Sequence, residues 1–155
     1  MDLKKVLSKE AILLDLAVNS LPLAIAALCH LSARLLRRQV DELLGPALQR
    51  ESLGSTAVGG GVAIPHGKVP GLTESFLAVA RVAKDAGPDF LGPDGLPVRV
   101  VALVLSPITP TSEHLQILAL LGRLWNTPEI LRLLLSAPDK ESFYGVFLEL
   151  AAIAA

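Results

Sequence analysis

Residues 98–107 read VRVVALVLSP. This is a short run of β-branched and aliphatic residues with no polar alternation after Arg99, and Ser-Pro closes it. A strand of that kind hides both faces, so it needs cover on both sides. FLAVARV, residues 76–82, is a second strand, and the segment between the two, AGPDFLGPDGLP, is turn chemistry. Helical patterns flank the pair. The class that follows is α/β: a small mixed β-sheet covered by helices on both faces, in a single domain spanning residues 1–155. Hydrophobic residues make up 52% of the chain and aromatic ones only 4%, so leucine, alanine and valine must fill the core.

Residues 20–38 predict a helix. Asn19 or Ser20 can cap it, Pro22 suits its first turn, and Leu21, Ile25, Leu28, Leu31 and Leu35 follow at helical spacing. Arg34, Arg37 and Arg38 lie off that stripe and read as a solvated face rather than a binding patch. A second helix covers Val40 to Glu51, with Leu43, Leu44 and Leu48 on one face. Gly45-Pro46 should kink it or make it restart, because proline removes a backbone bond and clashes with the preceding turn. ESLGSTAVGGG then reads as a loop, and VAI, residues 62–64, as a short strand ended by Pro65. Near the other end, Thr111 or Ser112 caps a helix carrying Leu115, Leu118, Leu121 and Trp125. Thr127-Pro128-Glu129 starts another, and residues 139–152 form the last.

Several function classes are disfavoured by this chemistry. With 14 basic and 15 acidic residues the net charge is -1, which gives no electrostatic case for nucleic acid. The apolar tract 11–29, AILLDLAVNSLPLAIAALC, is broken by Asp15, Asn19 and Pro22. It makes a poor membrane span and a poor signal peptide, so a cytoplasmic protein without membrane insertion is expected. The single cysteine, Cys29, cannot form a disulfide within the chain and is compatible with a reducing compartment.

Three histidines remain, and their separations fit no compact metal-ligand motif. His30 sits mid-helix and reads as structural or surface. His66 is different. It lies in GGGVAIPHGK, where Pro65 restricts Ile64 to extended backbone and glycines leave room on either flank. Such a mount offers a side chain to a large partner, and a neutral imidazole is a competent nucleophile near pH 7. Local chemistry alone nevertheless tilts toward an ordinary turn histidine. His114 sits in the first turn of its helix, where unpaired N–H groups favour an anion. The bland account is that Ser112 and Glu113 cap the helix and His114 is a solvated neighbour. Arg50 ends the second helix, either as an exposed charge favouring the helix terminus or as a bidentate phosphate binder. Spacing alone does not bring these three together.

The segments QRESLGSTAVGGGVAIPHGKVPGL, PDGLPVRVVALVLSP and EHLQILALLGRL together resemble the type-2 enzyme IIA domains of the bacterial phosphotransferase system, the fructose and mannitol class with its nitrogen-regulatory relatives. The resemblance covers roughly residues 5–150 and is most specific from Arg50 to Gly67. It implies an α/β domain whose histidine takes a phosphoryl group from a histidine phosphocarrier protein. By the same resemblance His66 is the acceptor, through Nε2; His114 is the second active-site histidine, which stabilises the phosphoryl group; Arg50 balances its charge; and Thr56 adds a hydroxyl. The scheme implies neither cofactor nor metal. Two departures stand out. SLPLAIAALCHL is more apolar than the first helix of many relatives, whether as core, partner surface or homodimer face. Gly45-Pro46 falls where relatives run on unbroken, so Arg50 is expected to shift, or its helix to start afresh at Pro46. The sequence as given has no room for B and C domains, which suits two roles. The first and favoured one is a nitrogen-type regulator that binds target proteins. The second is a detached carrier feeding a IIB domain. A non-transferring binding module is the alternative of another class.

Overall fold

The computed structural model describes residues 2–86, 89–109 and 111–154. Two short 3-10 turns, Leu3–Lys5 and Lys9–Ala11, lead into strand β1 (Ile12–Leu16). Helices α1 (Leu21–Leu36) and α2 (Val40–Ser52) follow. Three short strands come next, β2 (Ala57–Gly59), β3 (Val62–Ala63) and β4 (His66–Lys68), then the long strands β5 (Phe76–Val82) and β6 (Val100–Ser106). The chain ends in α3 (Ser112–Asn126), α4 (Pro128–Ser136) and α5 (Lys140–Ala154).

The strands form one mixed sheet in the order β1-β5-β6-β3-β2, and β4 also pairs with β6. β1 runs parallel to β5, β5 antiparallel to β6, and β3 and β4 parallel to β6. Every residue of β6 is buried. Alternate side chains of a strand point to opposite faces, so both faces of the sheet are covered at its centre, as the apolar run predicts. The helices form two groups: α1 packs with α2, whereas α3, α4 and α5 pack with one another. Both α1 and α3 reach β6.

Most helices start where their caps dictate. The Ser20 hydroxyl accepts from Leu23 N–H and Pro22 lies in the first turn of α1, whose Leu21, Ile25, Leu28 and Leu31 are buried. α1 ends two residues early, at Leu36, because Arg37 adopts the left-handed conformation and ties its N–H back to the helix. The apolar character of this helix is mostly core; Leu23 and Leu35 are its exposed exceptions. Asp139 caps α5 through Ser142 N–H. In α3, Ile117, Leu120 and Leu121 form the buried stripe, whereas Leu115 is 68% exposed. The side chain of Trp125 lies outside the described residues, as do Gly87 and Pro88 of the predicted turn segment.

Two expectations are corrected, and one strand was not foreseen. α2 does not restart at Pro46: it runs from Val40 to Ser52 with the proline inside it. Residues read as loop after Glu51 include the end of α2 and the strand β2. The tract beginning at Ala11 contains β1, which pairs with β5 at the sheet's edge. Among the described residues, no helix is long and apolar enough to cross a membrane.

Candidate functional site

The site is built along one flank of β6. β3 pairs with its first half, Val62 opposite Val100, and β4 with its second half, His66 opposite Val104. The register is the same in both, so Pro65 interrupts the ladder without a slip. Its missing N–H removes one donor, but its carbonyl still accepts from Val104 N–H at 2.9 Å. His66 therefore opens a resumed strand rather than ending one, which differs from the sequence expectation. Its Nδ1 lies 3.0 Å from the carbonyl oxygen of Ile64.

Gly67 explains how α2 reaches this strand. A Cβ there would sit 3.0 Å from the backbone nitrogen of Ala47 and 3.3 Å from the Pro46 carbonyl carbon. Only a glycine lets helix backbone and strand backbone approach so closely. The approach carries the last turn of α2, and with it Arg50, to the rim of the site. An open depression of about 460 Å³ is lined by Pro46, Gln49, Arg50, His66, Lys68 and His114, among others. A second, of about 250 Å³, shares Arg50 and His66 with the first.

Arg50 donates from Nη1 to the Gly54 carbonyl at 3.0 Å, which anchors one edge of the guanidinium. The next residue, Glu51, turns inward. Its carboxylate accepts from Thr56 N–H at 3.0 Å and from the Thr56 hydroxyl at 2.6 Å. Thr56 is 5% exposed and lines the second depression with Arg50 and His66. Its hydroxyl proton is thus committed to Glu51, and Thr56 fixes the loop beside His66.

His114 arrives from the helix side. Its N–H donates to Thr111 Oγ1 at 3.2 Å, so Thr111 caps α3. Its neighbour Glu113 accepts from Ser75 N–H at 3.1 Å, pinning the first turn of α3 to the segment before β5. Its Nδ1 lies 2.6 Å from the Ser106 hydroxyl at the end of β6. The His66 and His114 rings face each other edge to face, with centroids 6.4 Å apart. Partial burial lowers the pKa of His114 below the ordinary histidine value, and the nearby His66 and Lys68 charges push it the same way.

The structure therefore brings His66, His114 and Arg50 to one depression and Thr56 to the adjoining one. His30 is exposed on α1 and takes no part in either. Cys29 is buried, and burial pushes its thiol up to about 12, so it is no competing nucleophile. Sequence reasoning missed Glu51, Ser106 and Lys68. Ser106 had a signal, a hydroxyl at the end of an otherwise aliphatic buried strand. An imidazole, a second imidazole and a guanidinium around an open depression suit a tetrahedral oxyanion that must also be reached by a large partner.

Comparison with known proteins bears on the fold and the family. Residues 5–149 match the family model described as phosphoenolpyruvate-dependent sugar phosphotransferase system, EIIA 2. A nitrogen regulatory protein of Bradyrhizobium diazoefficiens is 40% identical over 146 residues, 94% of each chain. A fructose-specific EIIA component of Haloferax volcanii is 34% identical over 109 residues, 70% of each. The crystal structure of nitrogen regulatory protein IIA-Ntr from Neisseria meningitidis superimposes with a TM-score of 0.82 at 30% identity, covering 94% of this chain and 98% of that one. With sheet and sequence in agreement, the chain belongs to the EIIA type-2 family of the phosphoenolpyruvate-dependent sugar phosphotransferase system.

Proposed function

We propose that this chain is a cytoplasmic phosphocarrier of the nitrogen-regulatory type, and that Nε2 of His66 accepts the phosphoryl group from a phosphohistidine on a histidine phosphocarrier protein. The single observation that carries the assignment is the contact between His66 Nδ1 and the Ile64 carbonyl. A carbonyl only accepts, so Nδ1 holds the proton and the ring lone pair sits on Nε2, free to attack. In the transfer, that lone pair forms the new P–N bond. The P–N bond to the donor histidine breaks, and the donor nitrogen keeps the electron pair. The His66 ring becomes cationic as the bond forms, which strengthens its bond to the Ile64 carbonyl. Arg50 and His114, on the same depression, stand where the phosphoryl oxygens gather charge. Such transfers rest on positioning and charge stabilisation, which is what these side chains supply.

The nitrogen-regulatory reading is supported by similarity over nearly the whole of both chains. In that reading the phosphorylation state alters which target proteins the domain binds. The second reading, passage of the phosphoryl group to a IIB domain of a sugar transporter, is favoured by the likeness to a fructose-specific EIIA component.

The test is incubation with enzyme I, a histidine phosphocarrier protein and phosphoenolpyruvate, followed by intact-mass and site mapping at neutral to basic pH. One acid-labile phosphoryl group on His66, absent in His66→Ala, is the expected result. A folded protein that takes no label from several cognate donors would instead be a pure binding module. Rapid loss of the label to an added IIB domain would favour the transporter reading.

A further inference from the structure

The proposed function makes no use of Ser106, a buried side chain in contact with His114. Ser106 is 3% exposed, ends β6, and pairs through its backbone with Lys68 of β4. Its hydroxyl lies 2.6 Å from His114 Nδ1, and among the described residues it has no other hydrogen-bond partner. We propose that Ser106 is a positioning residue: its hydroxyl donates to His114 Nδ1 and thereby holds that ring in the tautomer that presents Nε2–H to the depression shared with His66. This deepens the phosphocarrier reading and rests on it for its consequence, though not for its geometry.

The direction of the bond follows from what each alternative strands. If the hydroxyl accepted from Nδ1–H, its own proton would have no acceptor among the described residues, in a residue only 3% exposed beside a depression of about 100 Å³. If it donates, only lone pairs are left idle, and an unused acceptor is cheaper than an unused buried donor. A neutral imidazole has one N–H. With Nδ1 accepting, the proton must be on Nε2.

That placement decides the sign of His114's contribution. Phosphoryl oxygens only accept hydrogen bonds. A ring with Nε2–H gives them a donor, whereas the other tautomer would aim a lone pair at them. His114 thus needs a partner on its hidden nitrogen that can donate. The end of β6 supplies a serine there, in a strand whose preceding residues, VVALVL, are all aliphatic.

The experiment uses the full chain with ¹⁵N-labelled histidine, at about pH 8, where free imidazole is neutral. The ¹⁵N shifts of an imidazole separate the two tautomers. In the unaltered protein His114 should show a protonated Nε2 and a bare Nδ1. In Ser106→Ala the ring should become a mixture. The rate of phosphorylation of His66 by the phosphorylated carrier protein should fall about five- to tenfold. Ser106→Thr, which keeps the hydroxyl, should restore both. A protonated Nδ1 in the unaltered protein overturns the proposal, and so does an unchanged tautomer in Ser106→Ala. A changed tautomer with an unchanged rate removes the positioning role. If the unaltered protein takes no phosphoryl group at all, the phosphocarrier reading falls, while the nitrogen shifts still decide the bond to Ser106.

Discussion

His66 and His114 face each other across 6.4 Å, yet they are mounted in opposite ways. His66 stands on a strand, and its hidden nitrogen is held by a main-chain carbonyl. His114 stands in the first turn of a helix, and side chains hold everything around it: Thr111 takes its N–H, Glu113 ties the turn to Ser75, and Ser106 meets Nδ1. No substitution at Ile64 removes a carbonyl, so the tautomer of the strand histidine is fixed by fold. The tautomer and acidity of the helix histidine are set by residues that evolution or an experimenter can change one at a time. In the proposed function, then, the group that reacts is held by backbone, and the group that tunes it is held by side chains.

The sharpest way to break this comparison is to delete each ring in turn. His66→Ala should end phosphoryl incorporation altogether, because it removes the proposed acceptor nitrogen from the depression. His114→Ala leaves the nucleophile and its tether intact, so it should slow incorporation by about a hundredfold, the usual scale for one charge-stabilising donor. Single-turnover transfer from the phosphorylated carrier protein measures both. Equal effects of the two substitutions would mean that the rings act as one unit, and the distinction between mounts would lose its meaning.

The strand mount was legible in the sequence to a degree that the helix mount was not. GGGVAIPHGK announces an extended, uncrowded histidine, and VRVVALVLSP announces the strand it lies beside. The short strands were harder. β2 and β4 hold three residues each and contain glycine, so nothing in their own sequence asks for a strand; they are strands because β3 and β6 offer them a ladder. β1 is a five-residue edge strand with a half-exposed pattern, and its apolar residues merge into those of α1. Pro46 misled for a different reason. The rule that proline breaks a helix counts one lost bond and one clash. It does not count the packing of Ala47 against Gly67, a contact between residues twenty apart in sequence. The same blindness hid Ser106, whose role exists only once α3 has folded over the end of β6.

That packing yields the next prediction, which concerns the strand mount alone. Gly67→Ala places a methyl group 3.0 Å from the Ala47 nitrogen, against helix backbone that cannot turn aside as a side chain can. Overpacking of this kind costs about 1–3 kcal/mol. A thermal melt should show a loss of several degrees in Tm. Transfer should slow as well, since α2 carries Arg50. His114 should keep its tautomer, because nothing on the helix mount has moved. A Gly67→Ala protein with unchanged Tm and unchanged rate would show that α2 and β4 do not approach as closely as described.

The smallest effect sharpens the comparison from the helix side. His114 titrates below the ordinary histidine value chiefly because it is partly buried, and secondarily because of positive charge on His66 and Lys68. The unfolded chain binds that proton at about pH 6.5, and the folded chain only at a lower pH. Between those values unfolding takes up a proton. This contribution to stability is therefore whole above the unfolded value, and it is lost as pH falls through the folded one. An NMR titration of the His114 ring should give a midpoint below that of a free histidine. In His66→Ala the midpoint should rise only part of the way back, since burial, the larger cause, remains. Phosphorylation of His66 should raise it further, because the phosphoryl oxygens make the group opposite the ring net negative. A midpoint insensitive to both changes would separate the two histidines electrically as well as structurally, and His114 would then have no means of sensing the state of the residue it faces.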